Sequence, residues 1–152
     1  MATTKLVEQT DEGWDITVPL PPVPASRPRV TRWGTYYLKT YATWKEEAER
    51  LLEEFSVPDL FTGPVFTVTA FEVKRPKKLT RPHPHPDLDN FEKAIFDAVS
   101  KSECLWHDDD QIVAALSYKK YADPGEEPQT KLHVQEFLGF KPMVHTLMQR
   151  YG

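Results

Sequence analysis

The sequence predicts an α+β fold, a mixed β-sheet with two main helices packed on it. Three observations carry that reading. Apolar residues recur at spacings of three and four in two separate segments, 44–55 and from Leu88 to about Ser102. β-Branched and aromatic residues dominate "VFTVTAFEV" at 65–73 and run through "QIVAALSYKKYA" at 111–122. Two strands follow one another after the second helix, so the order is β, loop, α, β, α, β, β instead of a repeating βα unit.

Each element has its own cause. "WDITVPLPP" at 14–22 alternates apolar Trp14, Ile16, Val18 and Leu20 with polar or proline positions, the period of a half-buried strand that its prolines end. "PPVPASRPRVTRWGTYYLKT" at 21–40 is rich in Pro and Arg and reads as a long ordered loop, with a turn at Gly34 and a short strand at Tyr36 and Tyr37. Loops of that length in a compact domain commonly carry function. Thr40 or Thr43 can cap the first helix, whose apolar stripe is Trp44, Ala48, Leu51, Leu52 and Phe55 and whose acidic side faces water.

Gly63 and Pro64 introduce the strand at 65–73, and a basic loop follows at 74–86. Leu88, Phe91, Ala94, Ile95, Ala98 and Val99 then give the second amphipathic helix. "ECLWHDDD" turns the chain into the strand at 111–122, "ADPGEEPQT" is a turn, and "KLHVQEFL" at 131–138 is expected to pair back on the strand before it. The tail beyond reads as a short helix or an interaction segment.

A length of 152 residues fits one domain, 1–152, with 138–152 a tail of unassigned role. Hydrophobic residues at 39% and charged residues at 28% exclude a disordered or membrane-embedded chain. No stretch approaches the roughly 18–20 apolar residues of a membrane span. The N-terminus lacks the apolar core of a secretory leader, so the expected location is the cytoplasm. The single cysteine, Cys104, cannot form an intrachain disulfide, and nothing near it in sequence is arranged to activate it as a nucleophile.

A net charge of −4 argues against nonspecific coating of nucleic acid, but the charge is segregated. Acids cluster at 46–55 and 125–128, bases at 26–33, 74–81 and 118–121. A basic face can coexist with an acidic one, although each cluster also reads as plain solvated surface.

The densest chemistry lies in "RPHPHPDLDNFEK" at 81–93. Pro82, Pro84 and Pro86 confine the backbone to extended conformations and so fix the approach to Asp87. In an extended segment Asp87 and Asp89 project to the same side. Two adjacent carboxylates repel, which raises the pKa of one unless a cation lies between them, and oxygen-only ligands select Mg²⁺ or Mn²⁺. The alternative is that Asp87 caps the helix while Asp89 complements its dipole.

Lys93 follows Asp89 by four residues and shares its helix face, either as an ordinary ion pair or as a fixed positive charge beside a metal site. "WHDDDQIV" at 106–113 places three acids together, a solvated turn or a cation ligand set. His83 and His85 could be a zinc pair, but without further Cys or His partners they read as solvated loop residues, and His107 has no assigned role.

"DLDNFEKAIFDAV", followed by "WHDDDQIV" about twenty residues after Asp89, resembles the signature of the RusA-type Holliday-junction resolvases, a family frequent in phages and prophages. Its pattern is D-x-D-N, a lysine four residues after the second Asp, then D-D-x-Q at the head of a strand. The upstream "PPVPASRPRV" is similar to the N-terminal loop of phage members, and the resemblance spans roughly 14–137.

It implies a RusA-like single domain in which Asp87, Asp89 and Asp109 bind Mg²⁺ and Lys93 is catalytic. It also implies a homodimer that introduces paired nicks in four-way DNA. The run "DDD" departs from the pattern, so Asp108 or Asp110 can share the role of Asp109. Arg27, Arg29, Arg32, Arg75, Lys77 and Lys78 are the expected phosphate contacts. Two other readings stand beside this one. The first is a branched-DNA-binding module without catalysis. The second is a glycosyltransferase using D-x-D to hold a nucleotide sugar, a class that needs a larger chain and a phosphate-cradling loop not found here.

Overall fold

The computed structural model describes residues 6–26, 29–36, 39–55 and 57–152, with backbone alone at 29, 30, 35 and 36. Its strands are β1 (Val7–Gln9), β2 (Gly13–Val18), β3 (Arg29–Thr31), β4 (Gly34–Tyr36), β5 (Val65–Val73), β6 (Ile112–Tyr121) and β7 (Gln129–Glu136). Its helices are α1 (Lys39–Glu54), α2 (Leu88–Ser102) and α3 (Phe140–Tyr151). The fold is α+β, as the sequence predicts. Among the described residues no helix is long and apolar enough to cross a membrane.

The main sheet runs β1-β2-β7-β5-β6, and a separate hairpin joins β3 to β4. β5 and β6 are parallel, while the β1–β2, β2–β7 and β5–β7 pairs are antiparallel. The expectation that the last strand pairs back on β6 is therefore wrong: β7 inserts between β2 and β5. The cause is burial. β5 is buried along all but its last residue and needs a neighbour on each side, whereas β6 alternates between half-buried and exposed positions as an edge strand does. Parallel neighbours need a crossover, and α2 supplies it.

One sheet face carries α1 and α2. Ile16, Val18, Val65, Phe71, Leu132 and Val134 meet Tyr41, Trp44, Ala48 and Leu52 of α1 and Phe91, Ala94, Ile95, Ala98 and Val99 of α2. Phe71 stacks on Phe91 with ring centroids 5.2 Å apart. α1 begins earlier than the sequence predicts, so Thr40 and Thr43 lie inside it and cap nothing. The apolar stripe extends back to Tyr41, which is buried and stacks on Trp44, and packing overrides the capping preference.

β1 and β3 add to the predicted elements, and β2 ends before the prolines as expected. The strand expected at Tyr36 and Tyr37 is β4, with Tyr37 outside the described residues. Gly13 is required where it stands, because a Cβ there would lie 2.1 Å from the Val134 carbonyl oxygen. The C-terminal tail forms α3, which Arg150 ties to Asp15 of β2 on the opposite sheet face.

Candidate active site

The chain from Asp87 to Gln111 leaves the proline ladder, runs along α2 and returns through the acidic turn to β6. β6 organises this stretch through alternate residues of its helix-side face. Ser117 Oγ donates to Glu92 Oε2 of α2 at 2.5 Å, Lys119 Nζ donates to the Pro86 carbonyl at 2.7 Å, and Tyr121 Oη donates to the His83 carbonyl at 2.9 Å. The approach to Asp87 is therefore held by stiff backbone and by side chains from the neighbouring strand.

Asp87 occupies the position before the first turn of α2, with φ −67° and ψ 138°, but its side chain makes no cap hydrogen bond. The capping alternative is not realised, and the exposed carboxylate stands beside the exposed Asp89 of the first turn. His83 Nδ1 lies 3.2 Å from the Pro84 carbonyl oxygen, and His85 Nδ1 meets Arg81.

One turn further along α2, Lys93 Nζ lies 3.5 Å from Asp97 Oδ2. The pair is largely exposed and contributes little to stability. Asp109 opens a single turn of 3-10 helix, Asp109–Gln111, and lies within electrostatic range of both Asp97 and Lys93. Although Asp109 is exposed overall, partial desolvation pushes its carboxyl above the usual aspartate value. Asp108 and then Asp97 add to the rise, and Lys93 opposes it. Asp108 is itself committed to the turn, its Oδ1 accepting from the Asp110 backbone N–H at 3.1 Å.

Trp106 seats the acidic turn on α2. Its indole N–H donates to Ser100 Oγ at 2.8 Å, and its ring meets Phe96 edge-on.

Among the described residues no three His, Cys, Asp or Glu side chains stand together as a ready-made metal site. Asp87 and Asp89 stand at the start of α2, and Asp109 lies within electrostatic range of Asp97 and Lys93. Asp87, Asp89 and Asp109 each offer oxygen alone, the donor chemistry that suits a hard divalent ion, but the three are not drawn into one group here.

The expected phosphate contacts divide. Arg32 sits in the exposed β3–β4 turn with its guanidinium 4.8 Å from the ring centroid of the exposed Trp33. Lys77 and Lys78 are exposed in the 74–86 loop, whereas Arg75 is half-buried and donates through Nε to the Ala122 carbonyl at 3.0 Å. Arg27 lies outside the described residues, as does the side chain of Arg29, whose backbone is in β3. The Ala25 N–H donates to the Asn90 carbonyl at 2.9 Å, which starts the N-terminal basic segment against the first turn of α2.

Sequence reasoning missed Asp97 and Lys119 as members of this neighbourhood and gave Gln111, the last residue of the D-D-x-Q pattern, no role of its own. Asp97 continues the Asp89 and Lys93 stripe at the same helical spacing, a signal that was legible. Lys119 shares a strand face with Ser117 and Tyr121, which period-two reading identifies only once that face is known to meet α2.

A family model described as "Endodeoxyribonuclease RusA" matches residues 19–135, from the end of β2 almost to the end of β7, and leaves α3 outside. The match places the chain among the endodeoxyribonucleases. It belongs to the RusA family. No curated protein matches the sequence. Among solved structures, the periplasmic domain of Helicobacter pylori MotB is similar with a TM-score of 0.42 and 11% identity over 96% of this chain and 88% of that one. A second crystal structure of the MotB domain gives a TM-score of 0.40 and 9% identity over 97% and 98%. Likeness at that level carries no argument about this chain.

Proposed function

We propose that this chain is a Mg²⁺-dependent, structure-selective endodeoxyribonuclease that resolves four-way DNA junctions by paired nicks in recombination and repair, working as a homodimer. The observation that supports it best is the β5–α2–β6 crossover. Along it an aspartate pair without a side-chain cap bond heads α2, and Asp109 lies within electrostatic range of the lysine one turn further on.

Asp87, Asp89 and Asp109 would hold Mg²⁺, with Mn²⁺ an acceptable substitute. When bound, the ion supplies an activated water and charge stabilisation at the departing oxygen. Lys93 places positive charge where the phosphate gains negative charge. In the resting chain Asp97 draws on the same ammonium group, so an arriving phosphate competes with Asp97 for Lys93. Arg32, Lys77 and Lys78 sit on exposed loops suited to backbone phosphates, with Arg27, Arg29 and Arg75 in the same two basic segments. Such contacts position DNA without reading its sequence, so branch shape decides the substrate.

Incubating the chain with a synthetic four-way junction and Mg²⁺, and mapping cuts on all strands, tests the reading. Paired, symmetric, Mg²⁺-dependent nicks are expected, and Asp89→Asn is expected to abolish them while junction binding survives. Near-normal cleavage by Asp89→Asn overturns the site. Junction binding with no Mg²⁺-dependent product from the unsubstituted chain favours the non-catalytic binding module.

A further inference from the structure

We propose that Gln111 is a positioning residue for the endonuclease reaction, holding Asp109 in place by lashing the acidic turn to the segment that precedes β5. The proposal rests on Asp109 being a metal ligand and deepens that reading.

The primary amide of Gln111 uses its whole hydrogen-bonding capacity. Its Oε1 accepts from the His107 and Asp108 backbone N–H groups at 2.8 and 3.0 Å. Its Nε2 donates to the Phe61 and Gly63 carbonyls at 2.8 and 3.0 Å. Two acceptor contacts and two donor contacts are all that such a group can make. One side of the amide thus grips the turn from within, while the other grips a segment about fifty residues earlier in the chain. Phe61 N–H reinforces the same seam by donating to the Leu105 carbonyl at 2.8 Å.

The turn needs this outside support. A single 3-10 turn has few hydrogen bonds of its own, and three consecutive carboxylates push it apart. Trp106 holds one end against α2 through Ser100, and Gln111 holds the other end against 61–63. Asp109 lies between the two anchors.

The chemistry is specific to glutamine. Glutamate keeps the acceptor contacts but presents oxygen to two carbonyl oxygens, asparagine is one methylene short, and methionine keeps the length with neither function.

The test uses the full-length chain and Mn²⁺ as the probe, with binding followed by electron paramagnetic resonance in the absence of DNA. Gln111→Met is expected to weaken Mn²⁺ binding at least tenfold and to lower kcat for junction nicking with KM unchanged. Junction affinity in EDTA should stay at the wild-type level. Placed in an Asp109→Asn background, the same substitution should change Mn²⁺ affinity by less than twofold, because the ligand it positions is gone.

Gln111→Glu runs in parallel under the same criteria, since it keeps the contacts inside the turn and guards against a Met variant that does not fold. Wild-type Mn²⁺ affinity in a folded Gln111 variant overturns the proposal, and so does an equal loss with and without Asp109. If Asp109→Asn alone leaves Mn²⁺ affinity untouched, the assignment of Asp109 as ligand fails instead.

Discussion

Replacing Trp106 with Phe isolates the hydrogen bond that seats the acidic turn on α2. Trp106 is fully buried, its indole N–H donates to Ser100 Oγ at 2.8 Å, and its ring meets Phe96 at 73° with centroids 6.1 Å apart. Phe keeps an aromatic ring in the site and removes the donor. Losing one hydrogen bond costs about 1 kcal/mol. The narrower ring leaves a cavity that costs roughly another 1 kcal/mol, well under the 3–5 kcal/mol of a full truncation to Ala. The total, about 2 kcal/mol, corresponds to a fall in Tm of roughly 4–8 °C for a chain of this size.

Urea unfolding should show a lower midpoint with an unchanged slope. Ser100→Ala should cost about 1–3 kcal/mol, because it leaves the buried indole N–H unpaired. The double variant should then cost clearly less than the sum of the two singles. A Trp106→Phe variant within about 0.5 kcal/mol of wild type, or strictly additive singles, would refute the role given to this bond.

Three further outcomes are expected. Thr69 is buried on β5 with its hydroxyl unpartnered, so Thr69→Val should raise stability by about 1 kcal/mol, and a lower urea midpoint would count against the burial argument. Burial pushes Asp15 upward, but hydrogen bonds and charge from His133 and Arg150 outweigh it and hold the carboxyl below the ordinary aspartate value. Its stabilising contribution is therefore present above the unfolded value near about pH 4 and lost as pH falls through the folded one. Asp15→Asn should flatten that acid-side loss in a stability profile, and a curve parallel to wild type through the acid range would show that Asp15 contributes nothing. Replacing both Lys77 and Lys78 with Ala should reduce the log-log salt slope of junction affinity by about 0.9 for each phosphate no longer neutralised, and an unaltered slope removes them from the DNA-binding surface.

The legibility of this chain follows the range of each interaction. α2 and the strand β5 were visible because periodic apolar spacing and β-branched content act over a few residues. The place of β7 was not, since a period of two says which side of a strand is buried and not which strand lies next to it. The D-x-D pair and Lys93 were legible as a local pattern, and the acidic turn as an anomaly of charge. What the turn rests on was not legible: the partners of Gln111 are carbonyls at Phe61 and Gly63, and backbone acceptors leave no mark on side-chain composition. Asp87 shows the reverse case, because a capping residue and a ligand look alike in sequence, and only the structure shows that its side chain makes no cap hydrogen bond.

The crossover between β5 and β6 ties the fate of the proposed catalytic groups to one ladder at the margin of the sheet. Ser117, Lys119 and Tyr121 leave that strand to clasp α2 and the proline run, and the acidic turn feeds directly into its first residue. Peeling β6 from β5 would unclasp all of them at once, so amide exchange in β6, the acidic turn and the head of α2 should share a single opening energy. The proposed nuclease centre then lasts only as long as this edge strand stays zipped.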